Sequence, residues 1–258
     1  METLTQTIER QAETGVAKSK KANNFGGYLA GGALAGAFVG IGCLFMYAGV
    51  SGMYVHGSDL AGTMMGLVFG IGLVLVVFAG GELATSGMMI MPLAAIRRKI
   101  SAVRAGWMII FMLLGNLVGS IAISALITAA HVFKKDSLNY QMLDAVVSGK
   151  LGKDYSEVFF RAIMCNVMVC LAMWTIVRMK NEVAQIIVIS WAITVFVAAG
   201  FEHVVANMTS FSLAIMNGVP GVTFTDSALA LVVAAAGNIV GGMVVVGGSF
   251  VLAARMEA

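Results

Sequence analysis

The sequence predicts an all-α integral membrane protein in which six transmembrane helices form an inverted repeat of three plus three. Of its 258 residues 59% are hydrophobic and 11% are charged, whereas about 25% are charged in a typical soluble domain. Six apolar runs are each long enough to approach the roughly 20 residues that a bilayer crossing requires. A short motif also occurs once in each half of the chain, and the 31 glycines with only 2 prolines favour closely packed membrane helices.

The first 27 residues form a polar N-terminal segment. Its charged residues flank no apolar core, so a cleavable secretory signal is not expected. Leu4, Ile8, Ala12 and Val16 recur at helical spacing, which predicts an amphipathic helix at the membrane interface, with a frayed terminus as the alternative. We therefore divide the chain into this segment (1–27), a channel-like transmembrane domain (28–254) and a short tail (255–258).

The predicted spans cover residues 28–50, 60–93, 107–131, 158–179, 183–217 and 228–254. The second and fifth are too long for one straight crossing, and glycines and polar residues interrupt them around 80–87 and 200–207. We interpret both as broken helices. Because non-helical backbone at membrane depth is tolerated only where protein buries it or a cavity wets it, the two breaks are expected to line one pathway.

Basic residues predict the orientation. With six spans both termini lie on one side of the cell membrane. If that side is the cytoplasm, most of the basic residues are cytoplasmic, as the positive-inside rule requires. The five basic residues that remain outside lie between 132 and 161, namely Lys134, Lys135, Lys150, Lys153 and Arg161. Their cluster either attracts anions toward a pore mouth or is an ordinary solvated loop balanced by neighbouring acidic residues.

The two halves, about 28–131 and 158–254, carry the same motif. Gly80-x-Glu82 precedes Gly115-Asn116, and Gly200-x-Glu202 precedes Gly237-Asn238, with 34 and 36 residues from Glu to Asn. Because each half contains an odd number of spans, the second copy must enter the membrane upside down. Such folds usually place the substrate site near the midplane, between corresponding discontinuous helices.

Three ionisable residues, Glu82, Glu202 and His203, lie deep in apolar spans. Such groups mark either a pathway or a paired structural site. For the glutamates we favour a structural role, in which each carboxylate binds free backbone N–H groups of a broken helix, over direct substrate contact. His203 is interpreted as a pore-lining residue that can donate or accept a proton near neutral pH, with a buried structural histidine as the alternative.

A metal site is not predicted. Glu, His and the nearby Cys165 are possible ligands, but adjacent Glu202 and His203 do not share a helix face and no His-x-x-x-His pair exists. The chain also lacks paired histidines on facing spans for bis-His haem ligation, which counts against the chief alternative, a membrane redox or metal enzyme subunit. Asn166 and Asn207 are polar amides within spans and either link helices or face the pore.

The segment Phe201-Glu202-His203-x-x-Ala206-Asn207-Met208, together with Gly81-Glu82-Leu83-Ala84-Thr85, Gly115-Asn116, Cys165-Asn166 and Gly237-Asn238, resembles the formate/nitrite transporter family over residues 25–254. The resemblance implies a homopentamer of aquaporin-like protomers in the lipid bilayer, each with its own pore. It also implies proton-coupled movement of small monovalent anions, first formate or nitrite, with hydrosulfide, acetate or lactate as alternatives. No enzymatic activity, cofactor or nucleic-acid partner is implied.

The same resemblance implies roles for individual residues. His203 would be the central proton donor or relay, Thr85, Asn166 and Asn207 the polar pore residues, and Lys150 the vestibule lysine that attracts anions. Leu73, Leu83 and Val169 would form one apolar constriction, and Phe69 and Phe196 the other. Glu82 and Glu202 remain structural residues at the breaks. Ala84 departs from the family pattern, because phenylalanine is common there, and it should loosen the loop in the second span.

Overall fold

A computed structural model describes residues 2–257, and this range contains helices and connections but no strand. The helices are α1 (Leu4–Lys21), α2 (Phe25–Val55), α3 (Ala61–Phe69), α4 (Ile71–Leu75), α5 (Ala84–Ile96), α6 (Ala102–Ala129), α7 (Leu138–Leu151), α8 (Tyr155–Val177), α9 (Glu182–Ala198), α10 (Val204–Met216), α11 (Phe224–Ile239) and α12 (Ser249–Ala254). Two π-helical segments, Val76–Gly80 and Val240–Gly248, continue α4 and α11.

Among the described residues, five helical segments are long and apolar enough to cross a membrane: Phe25–Val55, Ala61–Gly80, Ala102–Ala129, Tyr155–Val177 and Phe224–Ala254. Three shorter apolar helices, α5, α9 and α10, accompany them. The predicted second and fifth spans are each interrupted, at 81–83 before α5 and at 199–203 between α9 and α10. The all-α membrane fold and its multi-pass character are thus established, while the count of six crossings stays a prediction.

Helix α1 lies against the transmembrane helices. Thr3 caps its N-terminus in a capping box with Gln6, which satisfies free amides of the first turn. A Cβ atom on Gly15 would lie 2.7 Å from Ala94 Cβ, so α1 crosses α5 at close range. Glu9 forms ion pairs with Lys99 and Arg97, and these two cations lower its pKa. The domain boundaries proposed from sequence remain predictions.

Glycines allow close helix contact at equivalent places in both halves. Where α2 meets α6, a Cβ on Gly36 would lie 2.0 Å from Asn116 O, and one on Gly119 would lie 1.8 Å from Ala33 O. Where α8 meets α11, a Cβ on Gly237 would lie 2.4 Å from Phe159 O and one on Gly241 2.3 Å from Ile163 O. Small residues at membrane helix contacts let the backbones approach closely. In both halves, therefore, glycines allow two helices to pack backbone against backbone.

The helix α7 lies at the end of the bundle opposite to α1. Its Asn139 accepts a hydrogen bond from Ser51 near the C-terminal end of α2, at 2.8 Å, whereas α1 precedes the N-terminal end of α2. We therefore refer to the α1 side and the α7 side of the bundle. The α7 helix ends beside the second break and brings Lys150 there.

Candidate functional site

One asparagine fastens the first break. The Asn116 side-chain NH₂ group donates to Gly32 O and to Glu82 O, both at 2.9 Å, and its oxygen accepts from the amide of Ala84 at 2.9 Å. The side chain is fully buried. Asn116 therefore links α2 and α6 to the interrupted backbone and satisfies polar groups that the missing helical turn leaves free.

The second break has the same arrangement. Asn238 donates to Ala162 O at 2.7 Å and to Glu202 O at 3.0 Å, and accepts from the amide of Val204 at 3.0 Å. The repeated Gly-Asn motif thus supplies an equivalent clamp in each half.

The structure corrects one expectation about the glutamates. Their carboxylates were predicted to bind free backbone N–H groups at the breaks, but the side-chain amides of Asn116 and Asn238 bind Ala84 and Val204 there instead. Glu82 and Glu202 do lie at the breaks, where their carboxylates contact other side chains.

Each of these carboxylates contacts two lysines. Glu82 contacts Lys18, and its second oxygen lies 3.6 Å from Lys21 Nζ; both lysines belong to α1. Glu202 Oε2 lies 2.7 Å from Lys150 Nζ, and Oε1 lies 3.4 Å from Lys153 Nζ.

The two lysines at each carboxylate leave a positive balance of charge at both breaks, and pairing offsets the cost of removing the carboxylates from water. The sequence analysis does not predict that α1 supplies two of these lysines. The only indication in the sequence is that Lys18 and Lys21 lie on a helix expected to be amphipathic.

Two cavities approach the breaks from opposite ends. The α1-side vestibule has a volume of about 800 Å³, and Lys18, Tyr28, Glu82 and Ser86 are in its wall. The α7-side vestibule has a volume of about 310 Å³. Its wall includes the predicted site residues Phe69, Phe196, Lys150, Glu202, His203 and Asn207.

The remaining predicted residues lie in neither of these two walls. Leu73, Leu83 and Val169, predicted to form an apolar constriction, are all buried in the main hydrophobic core. Thr85 and Asn166 are fully buried. Their roles in transport stay predictions.

His203 lies where the two breaks meet. Its Nε2 is 3.1 Å from Thr85 Oγ1, and its Nδ1 accepts from the amide of Ala206 at 3.1 Å, which makes the ring the N-cap of α10. Because Nδ1 is an acceptor, the hydrogen-bond network assigns the neutral ring's hydrogen to Nε2, directed at Thr85.

Aromatic rings cover the imidazole on the α7 side. The Phe196 ring stacks on it with centroids 5.8 Å apart, and Phe69 meets Phe196 edge-on at 6.0 Å. His203 itself is 4% exposed. The imidazole is therefore within the wall of the vestibule but shielded from bulk water, at the point predicted for the second constriction.

The two candidate pore amides differ in their surroundings. Asn166 donates to Asn238 O at 2.6 Å and to Thr85 O at 3.2 Å, which supports the helix-linking alternative for this residue. Asn207 donates to Glu202 Oε2 at 2.9 Å, while its buried Oδ1 has no partner within residues 2–257. Asn207 thus has a free acceptor at the wall of the α7-side vestibule.

Within residues 2–257, no group of three or more His, Cys, Asp or Glu side chains is arranged to bind a metal ion. The three cysteines are buried and free. The site combines two vestibules, each beside a carboxylate with two lysines, with buried apolar side chains and one imidazole that has a hydroxyl partner. These are the features expected of a membrane protein that moves a small anion or its conjugate acid.

Comparison with known proteins agrees with this class. Residues 5–252 match the sequence profile of the family described as "Formate/nitrite transporter", and the chain belongs to this family. A curated relative, the formate channel BtFdhC of Bacillus thuringiensis, is 36% identical over 220 residues, which is 84% of this chain and 82% of the relative.

Two solved structures share the fold. An FNT family ion channel superposes with a TM-score of 0.89 at 30% identity, covering 96% of this chain and 99% of that chain. A pentameric formate channel with formate bound superposes with a TM-score of 0.76 at 27% identity, covering 90% and 98%. The family resemblance and the all-α membrane fold predicted from sequence are confirmed.

Proposed function

We propose that the chain forms a homopentameric channel or transporter for formate or nitrite in the cell membrane, with both termini cytoplasmic. The observation that carries the proposal is the His203–Thr85 pair between two vestibules, each of which has a carboxylate flanked by two lysines. One matched relative is a formate channel and one matched structure is a pentameric channel with formate bound, which supports formate as the substrate and the pentamer as the assembly.

Charge brings the substrate to the pathway. An anion that enters the α7-side vestibule comes under the field of Lys150 and Lys153, whose charges exceed that of Glu202 by one. Lys18 and Lys21 have the same relation to Glu82 on the other side. Entry from either side is therefore favourable for a small anion.

Passage through the centre requires a neutral species. Moving a bare anion past Leu73, Leu83 and Val169 would cost many kcal/mol, because these side chains offer no hydrogen bond. Apolar surroundings favour the neutral acid over its anion. We infer that the substrate takes up a proton before it passes the constriction, which couples its movement to protons.

The geometry of His203 limits how it can take part. At present Nδ1 accepts a hydrogen bond from the Ala206 N–H. In an imidazolium Nδ1 would carry a hydrogen of its own and could no longer accept this bond. A full proton relay would therefore break the α10 cap. Donation of the Nε2–H hydrogen bond to a substrate oxygen needs no such change. We therefore propose that His203 acts first as a hydrogen-bond donor and that a substrate oxygen takes the place of its partner Thr85 Oγ1.

A flux assay tests this proposal. Purified protein is reconstituted in liposomes, and formate uptake is followed with an inward proton gradient; nitrite, hydrosulfide, acetate and lactate are then added as competitors. We expect His203→Phe to abolish formate flux while the assembled oligomer keeps its size in solution. Undiminished proton-coupled flux in this variant would remove His203 from the mechanism.

A matched variant separates the two roles of His203. In His203→Asn the side-chain oxygen can still cap α10 and the NH₂ group can still donate, but the side chain cannot become a cation. Retained flux is the expected outcome for a hydrogen-bond donor. Loss of flux as complete as in His203→Phe would instead favour a proton relay.

A further inference from the structure

At the second break α9 ends with carbonyl groups that lack backbone partners, among them those of Ala199 and Gly200. Gly200 has a φ of +66°, its amide donates to Val197 O at 3.0 Å, and the amide of Phe201 donates to Phe196 O at 2.9 Å. This is the Schellman arrangement that commonly ends a helix. It satisfies the carbonyls of Phe196 and Val197, whereas the exposed Ala199 and Gly200, the latter in the wall of the α7-side vestibule, have carbonyls that accept no backbone hydrogen bond within residues 2–257.

Arg161 of α8 satisfies both oxygens. Its Nη1 donates to Ala199 O at 3.2 Å and to Gly200 O at 2.9 Å. Its own carbonyl oxygen accepts from the amide of Glu202 at 3.4 Å. The residue thus contacts the break through both side chain and backbone, and a cation at a helix C-terminus is also favoured by the helix dipole.

The first break provides a comparison within the same molecule. There the amide of Glu82 donates to Gly31 O at 3.0 Å, so Gly31 occupies the place of Arg161 but has no side chain. The asparagine clamps and the lysine-paired carboxylates are equivalent at the two breaks. Arg161 is therefore one difference between the halves, and it occurs at the break that includes His203.

We propose that Arg161 is a positioning residue: its guanidinium fixes backbone 199–203, so that His203 stays against Thr85 and Glu202 stays between its lysines. The transport consequence rests on the proposed function, whereas the structural consequence does not. Arg161 reaches the pathway only through the backbone that it binds, since it is not part of the wall of the α7-side vestibule.

The experiment compares three variants of the full-length protein. Arg161→Met removes all donors. Arg161→Lys keeps the charge but not the planar guanidinium. Glu157→Gln removes the negative charge of the carboxylate that accepts from Arg161 Nε at 2.7 Å. Amide hydrogen exchange is measured by mass spectrometry at 199–204 and at 80–84, with the first break as internal control. Formate flux and its half-saturation concentration are measured in liposomes.

We expect Arg161→Met to raise exchange at 199–204 about tenfold, consistent with loss of charge-assisted hydrogen bonds, and to leave 80–84 unchanged. Maximal flux should fall by a similar factor while the half-saturation concentration stays within about twofold, because the vestibule lysines are intact. Glu157→Gln should match the wild type, and Arg161→Lys should lie between. If Arg161→Met fails to assemble, Arg161→Lys decides by the same readouts.

Several results would overturn the proposal. Unchanged exchange at 199–204 would show that the guanidinium does not fix the break, and equal increases at both breaks would show a general loss of stability. Changed exchange with normal flux would refute the link to transport. If the wild-type protein moved no formate at all, the function proposed above would fail, yet the exchange measurement would still decide whether Arg161 positions the break.

Discussion

Replacing Asn238 by leucine should destabilise the protein strongly, although the two side chains have similar volume. In the native protein the amide of Asn238 binds the Val204 N–H and the Glu202 carbonyl at the second break. Its third partner, Ala162 O, lies inside α8 and keeps its helical donor. The substitution therefore leaves two buried backbone groups without a partner.

The expected magnitude follows from these two groups. Leaving one buried polar group unsatisfied costs about 1–3 kcal/mol, so the variant should lose about 2–6 kcal/mol. For chains of this size, 1 kcal/mol corresponds to about 2–4 °C in Tm, which gives a decrease on the order of 5–20 °C. Asn116→Leu should behave alike, because Ala84 N and Glu82 O would be left without a partner in the same way.

Thermal unfolding of the detergent-purified oligomer, followed by intrinsic fluorescence at a fixed scan rate, measures the effect. Asn217→Leu is the matched control, since Asn217 lies at the end of α10 and bonds Thr128 Oγ1 and Leu213 O without bridging a break. The reasoning is refuted if Asn238→Leu lowers Tm by no more than this control. It is also refuted if Asn116→Leu and Asn238→Leu differ by more than the spread among repeated preparations.

Two further predictions test charge and packing. Lys150→Gln should slow formate uptake more at 10 mM than at 300 mM salt, because salt screens exposed charges within about 10 Å at 0.1 M. Lys134→Gln is the control. An identical salt dependence of uptake in both variants would show that Lys150 does not attract the anion. Gly119→Ala should prevent assembly or lower Tm markedly, since its Cβ would lie 1.8 Å from Ala33 O. Gly106→Ala on the same helix should be neutral, because its Cβ would meet nothing within 4 Å. Size-exclusion chromatography and thermal unfolding of both variants test this prediction.

The sequence is sufficient to locate both breaks, because glycines beside an acidic residue inside an apolar run contradict a continuous membrane helix. It does not reveal the partners of Glu82 and Glu202. Lys18 is 64 residues from Glu82 and Lys150 is 52 residues from Glu202, and such distant pairs depend on how α1 and α7 pack. The repeated motif includes Asn116 and Asn238, but its spacing does not reveal that their amides, and not the carboxylates, bind the free backbone groups.

The internal repeat also explains why only one imidazole lies at the centre. Leu83 and His203 each follow the glutamate of their half, and each occupies the N-cap position of the helix after its break. Leucine offers no acceptor to the first turn of α5, whereas the His203 ring accepts from Ala206 and keeps Nε2 free to face Thr85 of the other half. Two identical repeats would have produced two apolar caps or two imidazoles. Because the halves differ at this position while sharing the asparagine clamp and the lysine-paired carboxylate, the change from leucine to histidine places one imidazole, and not two, where the breaks meet.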